Sequence, residues 1–316
     1  MKVSLIVPLR DEASSVWRLL ESILAQTRIP DEVVFVDAGS SDNTRATIEK
    51  HADGRLNLSV ISTGPAYPGK ARNMGVERST HDLIAFTDGG IELDREWLGN
   101  LSETINKAGA DVVYGHYKPR TDTFFRECLA LVMMQPLVMV DGRWMRKRSI
   151  ASSLLKKSVW RAVGGFPDAR AGEDRVFMAR IDAGSFKVSY SPSAVITWDI
   201  PGDLRGVWKR FSDYSLHNAN AGRIWNWHMP VLTMYGAALI FIALGVFVSP
   251  VFYLPVAAAF IARIAKRVFV NRREPYLKAR HLPAYLAACG FLTLFIDAAT
   301  FAGWARSCVV SEVKKH

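Results

Sequence analysis

The feature that most constrains this chain is a long uncharged stretch in its last third. From Met229 to Ala262, 34 residues contain no Asp, Glu, Lys, Arg or His. A bilayer core about 30 Å thick is crossed by roughly 20 apolar residues in a helix, so the stretch is long enough for two spans. The Ser249-Pro250 pair is the natural hinge between them, because proline does not continue a helix.

The sequence predicts a first span over Val231–Val248 and a second over Val251–Val270, with a third candidate over Leu282–Ala305. Cations and Pro255 interrupt the second span, and a re-entrant or interfacial helix is its alternative. The third candidate has Asp297 as its only charge. An intramembrane carboxylate normally faces protein or water rather than lipid.

The distribution of basic residues predicts the side of the membrane. Seven Lys and Arg side chains lie in the end of the second candidate span and in the segment between it and the third, whereas the Ser249-Pro250 turn has none. By the positive-inside rule that segment is cytoplasmic, and so is everything before the first span. The net charge of +10 fits attraction to an anionic membrane face. We expect no nucleic acid as partner, because no zinc-finger spacing or RNA-binding signature accompanies the charge.

The first two hundred residues alternate strand-like and helix-like patterns. Strands are predicted at Val3–Val7, Val33–Val36, Leu56–Ile61, Leu83–Phe86 and Val112–Tyr114, with helices such as Ser14–Gln26 and Asp94–Lys107 between them. This alternation is typical of an α/β fold with a mostly parallel, Rossmann-like sheet. Ligands of such sheets bind at the carboxyl ends of the strands, so the polar residues after each strand are the candidates for function.

Two further segments are apolar or aromatic but too short to span. Cys128–Val140 is either a buried core helix or a membrane-resting acceptor site. Asp203–His228 mixes aromatic residues such as Trp208 and Trp227 with Arg and Lys. Such a mixture just before a span is typical of a helix at the headgroup level.

Polar motifs follow the predicted strands in a fixed order. They are Val7-Pro8-Leu9-Arg10-Asp11-Glu12, Val36-Asp37-Ala38-Gly39-Ser40-Ser41-Asp42, Gly69-Lys70-Ala71-Arg72-Asn73, Ala85-Phe86-Thr87-Asp88, Val163-Gly164-Gly165-Phe166-Pro167 and Gly172-Glu173-Asp174. In this order they resemble the motifs of the inverting family 2 glycosyltransferases of the GT-A fold. The resemblance implies a GT-A catalytic domain over residues 1–200, interfacial helices over 201–228 and a transmembrane region of two or three helices over 229–316.

The first motifs imply a site for a nucleotide-sugar. The resemblance gives Asp37 contact with the nucleotide, with Pro8, Arg10 and Glu12 shaping the pocket and Gly39 allowing the tight turn. A carboxylate at a strand end can accept hydrogen bonds from a base or a ribose. Ser41 and Asp42 are explained equally well as caps of the next helix.

Three cations are candidates for binding the diphosphate. Lys70 and Arg72 lie at a predicted helix start, where backbone donors add to their charge. A solvated basic face is the alternative for both. Arg210 could also hold the diphosphate, although a membrane-facing cation is the other interpretation.

Asp88 occupies the position where the family places Asp-x-Asp, which holds a divalent cation, Mg²⁺ or Mn²⁺, against the diphosphate. Such ions bind oxygen ligands, often through one or two carboxylates plus phosphates. Here Gly90 replaces the second carboxylate. One protein ligand could suffice, and Glu92, Asp94 or His217 could contribute, although each is more typical of a surface or capping residue.

The pair Glu173-Asp174 is the candidate for catalysis. Displacement at the anomeric carbon requires a base that deprotonates the acceptor. The resemblance assigns that role to Asp174 and a supporting role to Glu173. Negative charge at a helix start is the structural alternative. If the acceptor is an ionised phosphate, Asp174 would orient it instead.

The sequence therefore predicts an inverting hexosyltransferase that moves one sugar from a nucleotide-sugar to a lipid-anchored acceptor at the cytoplasmic membrane face. The Gln-x-x-Arg-Trp string of processive family members is absent from the sequence, which favours single-sugar transfer. One alternative uses polyprenyl phosphate itself as acceptor, as dolichol-phosphate mannose synthases do. Another is a catalytically weakened membrane scaffold, suggested by the incomplete metal motif.

Overall fold

The computed structural model describes residues 1–52, 54–140, 142–146, 148–169, 172–220 and 222–313. The chain forms two compact units. The first comprises Met1–Pro119 and Leu137–Asp199, and the second comprises Arg120–Pro136 and the chain from Ile200 onward. Residues 120–136 therefore belong with the C-terminal helices, although they fall inside the range predicted for the catalytic domain.

The strands are β1 (Val3–Leu9), β2 (Glu32–Asp37), β3 (Leu58–Ser62), β4 (Leu83–Phe86), β5 (Ile91–Leu93), β6 (Val112–Pro119), β7 (Val138–Val140), β8 (Arg143–Met145), β9 (Ser153–Lys156) and β10 (Val188–Trp198). The helices of the first unit are α1 (Val16–Leu24), α2 (Thr44–Ala52), α3 (Pro68–Arg78), α4 (Trp97–Ala108), α6 (Lys157–Ala162) and α7 (Glu173–Ala183). Those of the second unit are α5 (Phe124–Met133), α8 (Leu204–Asn220), α9 (Ile224–Trp227), α10 (Met229–Phe247), α11 (Tyr253–Val270) and α12 (Leu282–Val313).

The first unit is built on a mixed sheet whose strand order among the described residues is β3-β2-β1-β4-β9-β6-β10-β5. Strands β1 to β4 pair in parallel, and β9 runs antiparallel between β4 and β6. The carboxyl ends of β1, β2, β4, β6 and β10 therefore meet at one edge of the sheet. The prediction of a mostly parallel α/β sheet of GT-A type is confirmed.

The central strands are mostly apolar because helices cover both faces. Every residue of β1 is buried. On one face, side chains of β1, β2 and β4 pack with α3, α6 and α7 around residues such as Ile6, Phe86, Phe166 and Phe177. The rings of Phe166 and Phe177 stack with centroids 3.9 Å apart. This packing fixes α3 and α7, which carry the predicted site residues.

The second unit is helical throughout its described residues, and α12 packs against α8, α5 and α11. Small residues allow close approach, which is typical of helices that associate in membranes. A Cβ built at Gly303 would lie 2.1 Å from the Ser212 carbonyl oxygen. Ser215 Oγ donates to the Thr300 carbonyl oxygen at 2.6 Å.

Helices α10 and α12 are long and apolar enough to cross a membrane, the latter over Ala279–Cys308 when the preceding turn is included. Among the described residues these two meet that criterion. They coincide with the first and third predicted spans. The second predicted span is also helical, as a 3₁₀ turn over Pro250–Phe252 followed by α11.

A polar triad joins the three long helices of the second unit. Asp297 of α12 accepts from Arg263 of α11 at 2.6 and 2.9 Å and from the Tyr235 hydroxyl of α10 at 2.8 Å. Asp297 is 4% exposed. The prediction that this carboxylate faces protein agrees with the geometry.

The apolar run Cys128–Val140 is not one element. It divides into the end of α5 and the strand β7, because Pro136 cannot continue a helix. Helix α5 is anchored within the second unit, where Glu127 accepts from the Tyr285 hydroxyl at 2.6 Å and the Leu131 carbonyl oxygen accepts from Asn271 at 3.1 Å. Core packing is thus the better interpretation for α5.

The predicted interfacial segment 201–228 forms α8 and α9. Trp208, Tyr214 and Trp225 are 40%, 41% and 76% exposed. The side chain of Trp227 lies outside the described residues. Helix α8 packs on α12, where the ring centroids of Trp208 and Phe295 are 5.5 Å apart.

Candidate active site

The loops after β1 and β2 are tied together by hydrogen bonds. The Asp11 backbone is left-handed, with φ of 55°, and its Oδ1 accepts from the Ser41 amide at 2.7 Å. The Glu12 amide donates to Thr44 Oγ1 at 2.8 Å. The donation from Ser41 lowers the pKa of Asp11. This mutual anchoring fixes the two loops against each other at the carboxyl edge of the sheet.

Asp37 ends β2 and is 6% exposed. Its Oδ1 accepts from the Ser40 amide at 2.9 Å and from Ser40 Oγ at 2.6 Å, which fixes the rotamer. Gly39 has φ of 81°, and a Cβ there would lie 2.9 Å from the Pro65 nitrogen. The site thus requires glycine at position 39 both for conformation and for space.

Arg72 of α3 bridges two carboxylates from distant parts of the chain. Its Nη2 donates to Asp88 Oδ1 at 2.7 Å, and its Nη1 donates to Glu173 Oε1 at 3.0 Å. Arg72 is 4% exposed, and its guanidinium carbon lies 5.5 Å from the centroid of the Phe166 ring. Three predicted site residues therefore form one connected cluster.

Burial and charge compete within this cluster. Burial opposes the charge of Arg72, but the neighbouring Asp88 and Glu173 carboxylates outweigh it, so the pKa of the guanidinium is raised. Burial also raises the pKa of Glu173, and the attraction of Arg72 offsets only part of that effect. Glu173 is thus a carboxylate whose ionised form depends on Arg72.

Asn73, next to Arg72, has a positioning role that the sequence reasoning did not assign. Its Oδ1 accepts from the Phe166 amide and from Trp160 Nε1, both at 2.9 Å, and its Nδ2 donates to the Phe166 carbonyl oxygen at 2.8 Å. The side chain fastens the Gly165-Phe166 turn to α3. The feature of the sequence that could have indicated this role is the place of Asn73 in the Gly-Lys-Ala-Arg-Asn motif.

Helix α7 begins at Glu173, after Gly172 with φ of 71°. A Cβ at Gly69 would lie 2.5 Å from the Pro167 carbonyl oxygen and 3.0 Å from Glu173 Cγ, so the starts of α3 and α7 are in close contact. Asp174 Oδ1 accepts from the Arg175 amide at 2.7 Å. Asp174 is half-buried beside the Arg72 cluster.

The residues at the metal motif offer few ligands. The described part of the chain holds no group of three His, Cys, Asp or Glu side chains placed to bind a metal ion. A Cβ at Gly90 would lie 3.5 Å from Glu12 Oε2, so the Glu12 carboxylate occupies space beside the position of the missing one. Asp88 and Glu12 are the two carboxylates near this motif, and Mg²⁺ is often held by one or two carboxylates together with a diphosphate.

The other predicted residues are more scattered. Pro8 is buried within β1, and Arg10 and Lys70 are exposed. Arg210 and His217 lie on α8, in the second unit. Of the remaining candidates, Glu92 is within β5, Asp94 follows it, and Asp42 caps the start of α2 by accepting from the Thr44 amide at 3.0 Å. The capping interpretation suffices for Asp42.

A mostly parallel sheet with anchored loops at its carboxyl edge and a carboxylate–guanidinium cluster defines a GT-A type α/β protein. Residues 4–165 match glycosyl transferase family 2. The match covers half of the chain, which belongs to this family of glycosyltransferases.

Curated relatives agree with this assignment. The chain is 28% identical over 175 residues to glycosyltransferase AglE of Haloferax volcanii, which covers 52% of this chain and 56% of AglE. It is 27% identical over 235 residues to the O-antigen chain rhamnosyltransferase RfbN of Salmonella typhimurium, covering 69% and 73% of the two chains. The chain thus spans little more than half of AglE.

Solved structures share the fold at low sequence identity. TarS residues 1–349 of S. aureus, in complex with UDP-GlcNAc, superpose with a TM-score of 0.53 at 16% identity, over 92% of this chain and 90% of that one. The mannosyltransferase PcManGT of Pyrobaculum calidifontis, in complex with GDP-Man and Mn²⁺, gives 0.52 at 19% identity, over 97% and 87%.

Proposed function

We propose that this protein transfers a single sugar, with inversion, from a nucleotide-sugar to a lipid-anchored acceptor at the cytoplasmic face of a membrane. The observation that carries the proposal is the Arg72 cluster, because it joins the metal-motif carboxylate Asp88 to the first turn of α7. That turn holds Asp174. In our proposal the cluster thus brings a diphosphate-binding region and a general base together at one edge of the sheet.

The donor occupies the pocket between the loops after β1 and β2. Asp37 uses Oδ1 for Ser40 and presents its other oxygen to the base or ribose. Arg10 and Lys70 are exposed cations at the same edge and pair with the diphosphate as it enters. TarS and PcManGT, which share the fold, were solved with UDP-GlcNAc and GDP-Man.

Asp174 accepts the proton of the acceptor hydroxyl as that oxygen attacks the anomeric carbon from the face opposite the nucleotide. The bond to the nucleotide diphosphate breaks in the same step, so the configuration inverts. We do not assign Glu173 as the base, because its carboxylate is bound to Arg72 and its ionised form is stabilised by that cation. Glu173 instead positions the cluster through that bond.

A divalent cation bound by Asp88, with Glu12 beside Gly90, would supply charge neutralisation to the leaving diphosphate. Arg72 remains cationic next to Asp88 and contributes positive charge at the same place. The cation held by Asp88 and the guanidinium of Arg72 would therefore both neutralise negative charge on the diphosphate.

The membrane location rests on the second unit. Helices α10 and α12 have the length and composition of spans. In our proposal α11 is a third span, although Arg263 lies within it, because Asp297 neutralises that cation and Tyr235 completes the pair. A charge that is paired inside a helical bundle is far less costly in lipid than one that is unpaired.

The span proposal is tested by single cysteines placed in the Ser249-Pro250 turn and in the 272–278 loop of a full-length variant in which Cys128, Cys289 and Cys308 are replaced by serine. Labelling with a membrane-impermeant maleimide should reach the turn from outside and the loop only after permeabilisation. Equal labelling of both from one side would remove α11 as a span.

The function is tested by incubating purified full-length protein with a panel of nucleotide-sugars and extracted membrane lipids, followed by mass spectrometry of the lipid fraction. We expect one lipid species to gain the mass of a single sugar, with stoichiometric release of nucleotide. Release of nucleotide without a glycolipid product would refute the lipid acceptor, and successive sugar additions would refute single transfer.

Transfer to polyprenyl phosphate is the second candidate. The chain is 27% identical over 149 residues to an undecaprenyl-phosphate 4-deoxy-4-formamido-L-arabinose transferase of Proteus mirabilis, covering 46% and 45% of the two chains. The same assay separates the candidates, since polyprenyl phosphate would then be the lipid that gains the sugar.

A further inference from the structure

A polar pocket of about 580 Å³ lies at the β5 edge of the sheet in the first unit. It is lined by residues along the length of α1 from Trp17 to the C-cap Ala25, from β5 and the turn that follows, and from the ends of β6 and β10. Residues of the Arg72 cluster and the Asp37 loop do not line it. The pocket therefore belongs to a surface that the donor site does not account for.

Three strands build its floor. Glu92 of β5 is in register with Thr197 of β10, and Thr197 is in register with Lys118 of β6. Residues in register point to the same face of a sheet, and neighbouring strands lie about 4.8 Å apart. A carboxylate and an ammonium thus stand on either side of a hydroxyl, with their backbones roughly 10 Å apart.

One wall is an aromatic side chain held in place. Trp17 Nε1 donates to the Ser14 carbonyl oxygen at 3.1 Å. The guanidinium of Arg18 lies 5.2 Å from the Trp17 ring centroid and bonds Asp199 at 3.1 Å. An indole with a fixed orientation offers a flat apolar surface beside polar groups, at little further cost in side-chain entropy when a ligand binds.

The charges of the pocket are balanced. Its lining includes three cations and three carboxylates, namely Arg18, Arg95, Lys118, Glu21, Glu92 and Asp94. Such a lining carries no net charge, so it favours neither a cationic nor an anionic ligand. It therefore does not favour a phosphate group. It does supply many donors and many acceptors, which suit a ligand whose hydroxyl groups both donate and accept.

The pocket is connected to the donor site through the chain. Glu12, whose carboxylate lies beside Gly90, is in the loop that leads into α1. Trp17 is in the first turn of that helix. Glu92 lies within β5, which begins directly after Gly90. The ends of β6 and β10 lie at the same edge of the sheet as those of β1 and β4. A ligand in this pocket therefore occupies the carboxyl edge that also holds the donor.

We infer that this pocket binds the saccharide end of the acceptor, so that the acceptor is a lipid carrying a sugar rather than bare polyprenyl phosphate. The inference rests on the proposed glycosyl transfer. The indole packs against the apolar face of a sugar ring, and Glu92 and Lys118 bind its hydroxyl groups from two sides.

The test uses full-length protein in lipid nanodiscs, with the nucleotide-sugar that the lipid assay identifies. Two acceptors are compared, polyprenyl phosphate and polyprenyl diphosphate carrying one hexose. The variants are Trp17→Ala and Glu92→Gln, with Trp144→Ala and Glu103→Gln as matched controls in exposed positions of the first unit. Initial rates give KM for the acceptor and, separately, KM for the donor.

We expect the wild type to use the sugar-bearing lipid and each pocket variant to raise the acceptor KM by about tenfold or more. The donor KM and slow donor hydrolysis should not change, and the controls should behave as wild type. Equal use of both lipids, or pocket variants with unaltered acceptor KM, would overturn the inference while leaving glycosyl transfer intact. Absence of transfer by the wild type to either lipid would instead reject the proposed function.

Discussion

Replacement of Arg72 by methionine tests the cluster at the centre of the site. The substitution keeps most of the side-chain volume but removes the cation that bonds Asp88 and Glu173. The Glu173 side chain is 9% exposed, so its charge would remain buried without a partner. Breaking a buried pair in this way costs about 3–5 kcal/mol.

Asp88 adds little to this figure, because its side chain is 36% exposed and water screens much of its interaction. We therefore expect a loss of about 3 kcal/mol at pH 7. For a unit of this size that loss lowers Tm by roughly 6–12 °C. Thermal unfolding of the full-length protein, followed by near-UV circular dichroism, measures the shift.

The loss should depend on pH in a direction fixed by Glu173. Its pKa is already above the ordinary value of 4.5 because of burial, and Arg72→Met removes the charge that holds it down. A carboxyl with a raised native pKa binds protons more tightly in the folded state, so stability falls as pH rises through that pKa. The deficit of the variant should therefore shrink as pH falls from 7 towards 5.

Two comparisons isolate the cause. The double variant Arg72→Met/Glu173→Gln should recover most of the lost stability at pH 7, since no charge is left buried. Arg45→Met, which breaks the exposed Arg45–Glu49 pair, should leave Tm unchanged. A destabilisation of Arg72→Met that is the same from pH 8 to pH 5, or that Glu173→Gln does not relieve, would refute the reasoning.

Two further predictions concern the metal and the helices. Asp88→Asn should weaken the binding of nucleoside diphosphate in the presence of Mn²⁺, measured by calorimetry, and should have little effect on that binding in chelator. If the wild type bound with equal affinity in metal and in chelator, protein cations alone would neutralise the diphosphate. Asp297→Asn should lower the Tm of the second unit in detergent by leaving Arg263 without its carboxylate, and Arg263→Met/Asp297→Leu should restore much of it; an unchanged Tm in the single variant would show that the triad does not stabilise the three helices.

The alternation of strands and helices in the first unit could be predicted from the sequence because its strands are apolar runs bounded by polar loops. Since the carboxyl ends of parallel strands share one edge, the loops that follow Leu9, Asp37 and Phe86 could be expected to meet. Strand β9, by contrast, comes from a short run at Ser153–Lys156 with no periodicity to mark it as a central antiparallel strand.

The contacts within the site could be predicted less well from the sequence. Arg72 could be expected to bind diphosphate, but its bonds to Asp88 and Glu173 join residues 16 and 101 positions away. No local pattern reports such pairings. The role of Asn73 likewise depends on the turn at Phe166, whose position is set by tertiary packing against Phe86 and Phe177.

The second unit shows the same limit. Hydropathy predicted α10 and α12 because each is a long apolar run, and it predicted α11 because the uncharged stretch continues beyond Pro250. It could not show that α5 packs with them, since the anchoring bonds from Asn271 and Tyr285 cross 140 and 158 positions of the chain. The sequence also did not identify the partners of Asp297. A carboxylate in an apolar helix indicates that a partner exists but does not indicate which residue it is.

The most direct test of the account is the single-turnover rate of lipid glycosylation by Asp174→Asn, measured with saturating nucleotide-sugar and lipid acceptor. Removal of a general base should lower the rate by about 10²-fold or more, with the affinity for nucleotide unchanged. Asp82→Asn, at the amino end of β4 and thus at the opposite edge of the sheet, is the matched control and should transfer at the wild-type rate. A near-normal rate for Asp174→Asn would contradict the assignment of the base and with it the proposed mechanism.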